Sequence, residues 1–354
     1  SRVASQHATR GKSVVWLWLG GGLSHIESFT PVPDAPSEFR STTGAISTSI
    51  PGVQIGGTFE HTARVADKMA FVRSFTHRNS GHAGGTHWVM TGYDNPQADS
   101  DNSQTRPGLG SIVSRYRGAS TQTGLPAYVR DRSSRGAGPS FLAAAYPPRA
   151  PGGAADANMS VRVPASRMAE RSSMLRAFDT FRTEADRSGL AQAMDSFELQ
   201  ANGLINGNAR EAFDISREDS RVATSYGNTS LGEQLLTARR LVEAGVSFVT
   251  IHSGGWDMHS AIGPAMRNIS GRLDQAVAAF VNDIYQRGLD QDVLLVISGE
   301  FGRTPRINNT AGRDHWPLLS TLALSGGGLR MGQTIGVASQ RAEYPQERAI
   351  TPQD

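Results

Sequence analysis

Short apolar runs along the chain are separated by amphipathic stretches. Runs rich in β-branched and aromatic residues at positions 13–19, 246–251 and 293–297 predict buried central strands. Residues 231–244 and a segment from 267 to 287 have helical spacing, and each is followed by a glycine, as the ends of helices often are. Strands and helices that alternate with short connections are typical of parallel pairing. The pattern therefore predicts an α/β protein built on a mostly parallel sheet.

The rest of the chain divides into weaker elements and two long insertions. Residues 94–162 are dominated by small residues and proline, and they predict a loop-rich insertion. Residues 163–230 have helix-compatible apolar spacing from Met174 to Leu204 and predict a helical side layer or cap. We predict one domain over residues 1–354 that contains both insertions. Further predicted elements are strands at 69–73 and 321–324, a helix at 59–68, a short edge strand at 53–55, and a loop with a short helix at 74–92.

Composition excludes several classes of protein. The 354 residues are 38% hydrophobic and 19% charged, which are globular values, and no apolar run approaches the roughly 20 residues of a transmembrane helix. The net charge is +3, and lysine occurs only at Lys12 and Lys68. Basic residues form no dense block, so we expect no nucleic-acid partner. Arginine suits planar oxyanions such as phosphate and sulfate, although genome composition is the better explanation of its excess over lysine.

The chain contains no cysteine, so any metal ion must be held by nitrogen and oxygen atoms. Residues 1–11 are polar and lack an apolar segment. Absence of cysteine suits a cytosolic protein as well as an exported one, and a start of this kind fits an exported protein whose signal peptide has been removed.

Three compact clusters near the C-terminus carry the candidate chemistry. Asp257 and His259 follow the predicted strand 246–251, and Glu300 follows the strand 293–297. Asp314 and His315 form the third cluster. In an open α/β sheet, ligands bind at the carboxyl ends of the strands. Imidazole and carboxylate groups together bind zinc and, with more oxygen, manganese, magnesium or calcium. The clusters therefore predict a metal site.

Each cluster has an alternative interpretation. Asp257 could cap the following helix and leave His259 in solvent. Glu300 could bind a second cation beside an oxyanion held by Arg303, or the two could form a surface salt bridge. Asp314 and His315 are adjacent and diverge, so one could be a ligand that the other orients.

Earlier polar residues are expected at the same sheet edge. The glycine turn at 20–22 matches neither common phosphate-binding motif, but it is followed by Ser24, His25 and Glu27. His82 and two further histidines follow the strand at 69–73 and offer a nucleophile, a general acid or more ligands. The candidate catalytic residues are Ser24, His82 and Arg303, the candidate substrate-binding residues are His25, Arg73, His77, His87 and Arg313, and the candidate metal ligands are Glu27, Asp257, His259, Glu300, Asp314 and His315.

These motifs resemble the DUF1501 family, a sulfatase-like branch of the alkaline phosphatase superfamily that is widespread in bacteria, notably planctomycetes. The resemblance covers nearly the whole chain. It rests on residues 20–27, 67–74 and 238–245, on the three clusters at 254–259, 299–305 and 312–317, and on the glycines at 326–328.

The resemblance implies a three-layer, doubly wound α/β/α fold with one or two divalent ions at the carboxyl edge of the sheet. In the superfamily such a centre cleaves phosphate or sulfate esters. Glu27, Asp257, His259, Glu300 and His315 are similar to its ligands. Family members also typically carry a twin-arginine export signal, which implies a periplasmic or otherwise exported protein.

The chain departs from the superfamily pattern at two positions. Phe301 stands where a histidine ligand is usual, and His82 stands at about the position of the usual nucleophile. The first hypothesis is a metal-dependent hydrolase of sulfate or phosphate esters, with a sulfated polysaccharide as one candidate substrate. The second is a non-catalytic metal-binding or assembly protein of the cell envelope. A phosphomutase-like enzyme is a third, weaker alternative.

Overall fold

The computed structural model describes residues 11–142, apart from 102, 119, 122–123, 131–135 and 137, and residues 209–354. Its centre is a seven-stranded sheet with the order β11-β4-β10-β7-β1-β6-β5. The strands are β1 (Ser13–Leu19), β2 (Ala45–Ser47), β3 (Gln54–Gly56), β4 (Met69–Val72), β5 (Tyr128–Arg130), β6 (Phe248–Ser253), β7 (Val293–Ser298), β8 (Gly302–Arg303), β9 (His315–Trp316), β10 (Leu322–Gly326), β11 (Gln333–Ile335), β12 (Val337–Ala338) and β13 (Pro345–Glu347).

The sheet is mostly parallel, as the sequence pattern predicts. Strand β1 lies between β6 and β7 and runs parallel to both, with Leu17 beside Ile251 and Ile297. Strand β10 is antiparallel to its two neighbours, while β4, β5 and β11 run in the direction of β1. The loops that follow β1, β4, β6 and β7 therefore leave from one edge of the sheet.

Helices cover both faces of the sheet and confirm the predicted α/β/α class. The described α-helices are α1 (Glu60–Arg64), α2 (His82–Thr91), α3 (Ala98–Asp101), α4 (Leu109–Arg117), α5 (Ala209–Phe213), α6 (Ser220–Ser225), α7 (Ser230–Glu243) and α8 (Ile262–Gln286). On one face, Val15, Leu17 and Leu19 of β1 share a core with α7 and α8. On the other face, Trp16 and Trp18 share a core with residues of α2 and α4. Successive side chains of a strand point to opposite faces, so a strand buried on both faces is apolar throughout.

Local signals explain where the long helices begin and end. The Thr229 side chain accepts a hydrogen bond from Gly232 N and caps α7, which ends before Gly245 at a φ of 100°. Helix α8 begins at Ile262, about five residues before the predicted start at 267. The predicted helix at 59–68 is interrupted at Val65 and continues as a 3-10 turn over Ala66–Lys68. The predicted edge strand at 53–55 becomes β3, which pairs with β2 outside the main sheet.

The two predicted insertions are only partly covered by the described residues. Strand β5 lies in the segment predicted as loop-rich, yet it pairs with β6 at the edge of the main sheet. The helices predicted between Met174 and Leu204 lie outside the described residues, so the predicted division into one domain with two insertions stays a prediction. Of the helices that the structure describes, none is both long and apolar enough to cross a membrane.

The glycine turn after β1 brings the site loops together. Gly21 has a φ of 104°, and a Cβ atom there would lie 2.6 Å from the backbone nitrogen of Asp257. Gly22 has a φ of 79°, and a Cβ atom there would lie 2.7 Å from the Phe301 ring. Only glycine fits both the left-handed backbone and the close approach. The turn is therefore a packing element for the loops after β6 and β7.

Candidate metal centre

Three histidines converge on the carboxylate of Asp257 at the carboxyl edge of the sheet. His82 Nε2 lies 3.2 Å from Asp257 Oδ2. His259 Nε2 and His315 Nε2 lie 2.9 Å and 3.2 Å from Asp257 Oδ1. The side chains of His82, Asp257 and His259 are 41%, 42% and 46% exposed, so the group opens to solvent. The structure thus assembles predicted residues from the loop after β6, from β9 and from the start of α2.

A second acceptor fixes the orientation of each imidazole. His82 Nδ1 lies 2.8 Å from Glu300 Oε1, His259 Nδ1 lies 2.6 Å from Asp314 Oδ1, and His315 Nδ1 lies 2.8 Å from the Ser80 carbonyl oxygen. A carbonyl or ionised carboxylate oxygen only accepts, so each Nδ1 carries hydrogen. A neutral ring then turns its Nε2 lone pair toward Asp257. Lone pairs that face a carboxylate need a proton or a cation between them, so the group is able to bind a metal ion.

The best-formed ligand set consists of Asp257 Oδ1, His259 Nε2 and His315 Nε2. These atoms are separated by 2.9, 3.1 and 3.2 Å. Neighbouring ligand atoms in a tetrahedral zinc site, with bonds of about 2.0–2.1 Å, lie about 3.3–3.4 Å apart. The residues therefore fit one transition-metal ion. His82 faces the other oxygen of the carboxylate, and its ligand atoms lie within 4.8 Å of those of Asp257 and His315.

Arg303 keeps Asp257 ionised. Its buried guanidinium lies 2.5 Å from Asp257 Oδ1, and it also donates to the carbonyl oxygens of Gly21, Gly22 and Arg313. Partial burial opposes the charge of Asp257, but the hydrogen bond and positive charge of Arg303 outweigh it and lower the pKa of Asp257 to about 2. The structure therefore places Arg303, a predicted catalytic residue, behind Asp257, where its three nitrogens donate to protein groups.

Glu300 lies behind His82. Its carboxylate is almost fully buried, and Oε1 accepts from Gly21 N at 2.7 Å as well as from His82. This hydrogen bond is the largest cause of a raised pKa at His82. Glu300 Oε2 has no hydrogen-bond partner among the described residues. The Phe301 ring is buried, with its centroid 5.2 Å from that of His82 and 4.3 Å from that of His315, so it forms an apolar wall under both imidazoles.

The structure does not bring Glu27 into the histidine group. Glu27 and Arg313 are both fully buried and form an ion pair at 3.0 Å. Glu27 Oε2 also accepts from Ser24 Oγ at 2.5 Å, and Oε1 accepts from Thr42 N at 3.2 Å. Protein groups alone therefore donate to the Glu27 carboxylate in these contacts. The predicted ligand Glu27, the predicted catalytic Ser24 and the predicted substrate-binding Arg313 therefore form a separate buried group.

The other predicted substrate-binding residues also point into the protein. The contacts to carbonyl oxygens are His25 Nε2 with Ala342 at 3.0 Å, His77 Nε2 with Glu300 at 2.5 Å, His87 Nδ1 with Tyr93 at 2.8 Å, and Arg73 Nε with Phe29 at 3.0 Å. Burial lowers the pKa of His25 and of His77 to about 4, so both rings are neutral near pH 7. In this structure the four side chains hold loops in place.

Comparison with known proteins covers nearly the whole chain. A family model described as "Protein of unknown function (DUF1501)" matches residues 11–354. The chain belongs to the DUF1501 family. No curated protein matches this DUF1501 chain.

Solved structures similar to this DUF1501 protein are distant. PsFucS1 sulfatase from Pseudoalteromonas sp. is 12% identical with a TM-score of 0.42, over 95% of this chain and 66% of the sulfatase, so the chain spans just under two thirds of its length. Alkaline phosphatase from the Antarctic bacterium TAB5 is 11% identical with a TM-score of 0.36, over 92% of this chain and 94% of the phosphatase. The C-terminal periplasmic domain of EcEptC from Escherichia coli, solved with zinc, is 10% identical with a TM-score of 0.36, over 97% of this chain and 80% of that one.

Sequence reasoning missed the groups that orient the histidines through the backbone. The Ser80 carbonyl accepts from His315, and Gly21 N donates to Glu300. Asn308 Nδ2 lies 3.3 Å from Asp314 Oδ2 and 2.9 Å from the His259 carbonyl, so it ties two site loops together. The glycine turn at 20–22 was a usable signal for close packing. The contacts of the Ser80 carbonyl and of the Asn308 side chain depend on how distant loops meet, so no local sequence pattern indicates them.

We expect His25 to make stability depend on pH. Its pKa is about 4 in the folded protein and near 6.5 when unfolded, so the unfolded chain binds more protons between these values. The contribution of neutral His25 to the free energy of unfolding is complete above pH about 6.5 and is lost as the pH falls toward 4. Between pH about 7 and 5, the difference in unfolding free energy between the natural protein and His25→Gln should shrink by about 2 kcal/mol. Urea unfolding at both pH values measures it, and a constant difference would contradict the assignment.

Proposed function

We propose that this protein is a metal-dependent hydrolase of sulfate or phosphate esters whose divalent ion is held by Asp257, His259 and His315. The observation that carries the proposal is the convergence of imidazole Nε2 atoms, each with its Nδ1 hydrogen engaged elsewhere, on one ionised carboxylate. A carboxylate with two imidazoles suits zinc, manganese or iron more than calcium or magnesium.

The protein's own residues supply orientation and charge at this site. Asp314 orients His259 as a ligand, and the Ser80 carbonyl orients His315. Arg303 holds Asp257 in its anionic form. When bound, a divalent ion supplies Lewis acidity that favours attack on an ester. His82 faces the same open space and is the group we assign to act on the substrate.

We further propose one metal position rather than two. A second position would draw on Glu27 and on a histidine at position 301. Glu27 is enclosed by Arg313, Ser24 and Thr42. Position 301 holds a buried phenylalanine, which has no ligand atom. Glu300 then serves to hold His82 instead of binding a cation through Oε1.

The same two features favour the alternative function. A protein that lost its second metal position could retain the fold and one ion as a binding or assembly protein of the cell envelope. Export through a twin-arginine signal, and a sulfated glycan as the natural substrate, belong to the main proposal and stay predictions.

The proposal is tested on protein purified without chelators. We expect about one equivalent of divalent metal per chain, measured by elemental analysis. Aryl phosphates and aryl sulfates, assayed with zinc, manganese, calcium and magnesium in turn, should show turnover that a chelator abolishes and added metal restores.

The two candidate functions give different results in this experiment. Bound metal with no turnover on any ester would favour the binding protein. Protein that binds no metal at all would contradict both.

A further inference from the structure

We propose that His82 Nε2 is a covalent nucleophile that takes the phosphoryl or sulfuryl group from the ester and passes it to water. This inference rests on the proposed function and deepens it, because it names the atom that receives the group. It rests on the position of the His82 side chain relative to the buried Glu300 carboxylate and to the ligand atoms of Asp257, His259 and His315.

The orientation of His82 leaves a single nitrogen for chemistry. Nδ1 lies 2.8 Å from Glu300 Oε1, and that carboxylate is only 4% exposed. The imidazole itself is 41% exposed, so Nε2 is the nitrogen that a substrate can reach. A buried carboxylate that fixes Nδ1–H while Nε2 faces an open site is the arrangement that activates imidazole for nucleophilic or base catalysis.

The position of His82 relative to the ligand set favours attack on the ester itself. His82 Nε2 lies 3.2 Å from Asp257 Oδ2, whereas the ligand set of Asp257, His259 and His315 is built on Oδ1. His82 therefore borders that set without being needed to complete it. An ester oxygen placed at the ligand set would bring its phosphorus or sulfur within reach of Nε2.

Other hydroxyl groups near the cluster are less suited to this role. Ser24 is buried and its Oγ is bonded to Glu27, and Thr86 is buried within α2. Ser80 is exposed and precedes His82 by two residues, so its hydroxyl is a competing nucleophile. Within the part of the chain that the structure describes, no hydrogen bond joins Ser80 Oγ to a base that would activate it. The site of a covalent label separates His82 from Ser80.

The reaction balances in two steps. Any proton shared between Nε2 and Asp257 first passes to water. The Nε2 lone pair then forms a bond to phosphorus or sulfur, the bond to the leaving oxygen breaks with its electron pair, and that oxygen takes a proton from water. In the second step a water oxygen attacks, the bond to nitrogen breaks, and its electron pair returns to Nε2. The water proton goes to solvent, and Nδ1–H stays on the ring throughout.

Glu300 stabilises the intermediate that these steps require. A ring with Nδ1–H that is also bonded to phosphorus or sulfur carries a positive charge, and the Glu300 carboxylate lies directly against it. Phe301 excludes water from one side of the ring. We therefore assign Glu300 as a positioning residue that acts through His82.

The first experiment looks for the adduct. Metal-loaded protein is mixed with an aryl phosphate or, in a separate arm, an aryl sulfate, quenched within one turnover in alkali, and analysed by intact mass and peptide mapping. We expect one added phosphoryl or sulfuryl group on His82 that is lost in acid, and the arm that labels identifies the ester class. An acid-stable label on Ser80 would overturn the proposal.

A partition experiment covers an adduct that is too short-lived to trap. A common covalent intermediate divides between methanol and water in a ratio that does not depend on the leaving group. We expect the same ratio for aryl esters with different leaving groups. A ratio that changes with the leaving group means direct attack by water, which would overturn the proposal while leaving the hydrolase function standing.

Variants separate a nucleophile from a ligand. His82→Ala should lose the adduct and lower kcat at least about a thousandfold while keeping its metal equivalent, and added imidazole should restore turnover with release of N-phosphoimidazole or N-sulfoimidazole. Ser80→Ala keeps its backbone carbonyl and should still be labelled on His82. Glu300→Gln should slow adduct formation about 10- to 100-fold with unchanged metal content. Loss of the metal from His82→Ala would make His82 a ligand and overturn the proposal.

Discussion

Asp257→Ala is expected to abolish metal binding and to lower kcat/KM at least about a thousandfold. Asp257 supplies the oxygen shared by His259 and His315, and it balances the buried charge of Arg303. Loss of Lewis acid catalysis costs several kcal/mol of transition-state stabilisation, and each 1.36 kcal/mol is a factor of ten in rate. Elemental analysis and ester turnover on the same preparation measure both effects.

Two further variants calibrate this result. Asp314→Asn removes the charge behind His259 but keeps the ligand set, so metal affinity should fall about 10- to 100-fold. Asp292→Ala makes the same chemical change as Asp257→Ala at the amino end of β7, on the opposite edge of the sheet, and should keep metal and activity. If the Asp257→Ala protein still bound one metal ion per chain with the affinity of the natural protein, the proposed ligand set would be wrong.

Glu27→Ala is expected to destabilise the fold by about 3–5 kcal/mol while the metal-binding residues stay in place. The substitution leaves the guanidinium of Arg313 buried without its carboxylate partner, and an uncompensated buried charge costs about that much. Urea unfolding in the presence of a chelator measures the loss without any contribution from bound metal.

Control variants distinguish a structural role of Glu27 from a role as metal ligand. Glu38→Ala, an exposed glutamate in the same loop region, should change stability by less than about 0.5 kcal/mol. A double variant, Glu27→Leu with Arg313→Met, should recover part of the loss because neither charge is left alone. A Glu27→Ala protein that is as stable as the natural one without metal, but binds less metal, would restore Glu27 to the ligand set.

Much of the architecture could be predicted from patterns along the chain. Strands β1, β6 and β7 are continuous apolar runs because both of their faces are buried, and α7 ends at a glycine with positive φ. The direction of β10 and the sheet position of β5 could not be predicted, since pairing depends on partners far away in sequence.

For the candidate site, the sequence determined which residue types were available and where their loops begin. Without cysteine, ligands had to be imidazoles and carboxylates, and the ends of parallel strands meet at one edge. Asp257, His259, His315 and His82 could therefore be named from motifs alone.

Only the tertiary structure decided which polar residues share a site. A buried carboxylate takes whatever donors the packed chain presents, so Glu27 pairs with Arg313, 286 positions away, and Glu300 turns to His82. Spacing along the chain carries no record of such partners. The sequence by itself determined the fold class, the family and the set of candidate ligands, and the packing of distant loops decided their grouping, because charge and hydrogen-bond satisfaction act through space.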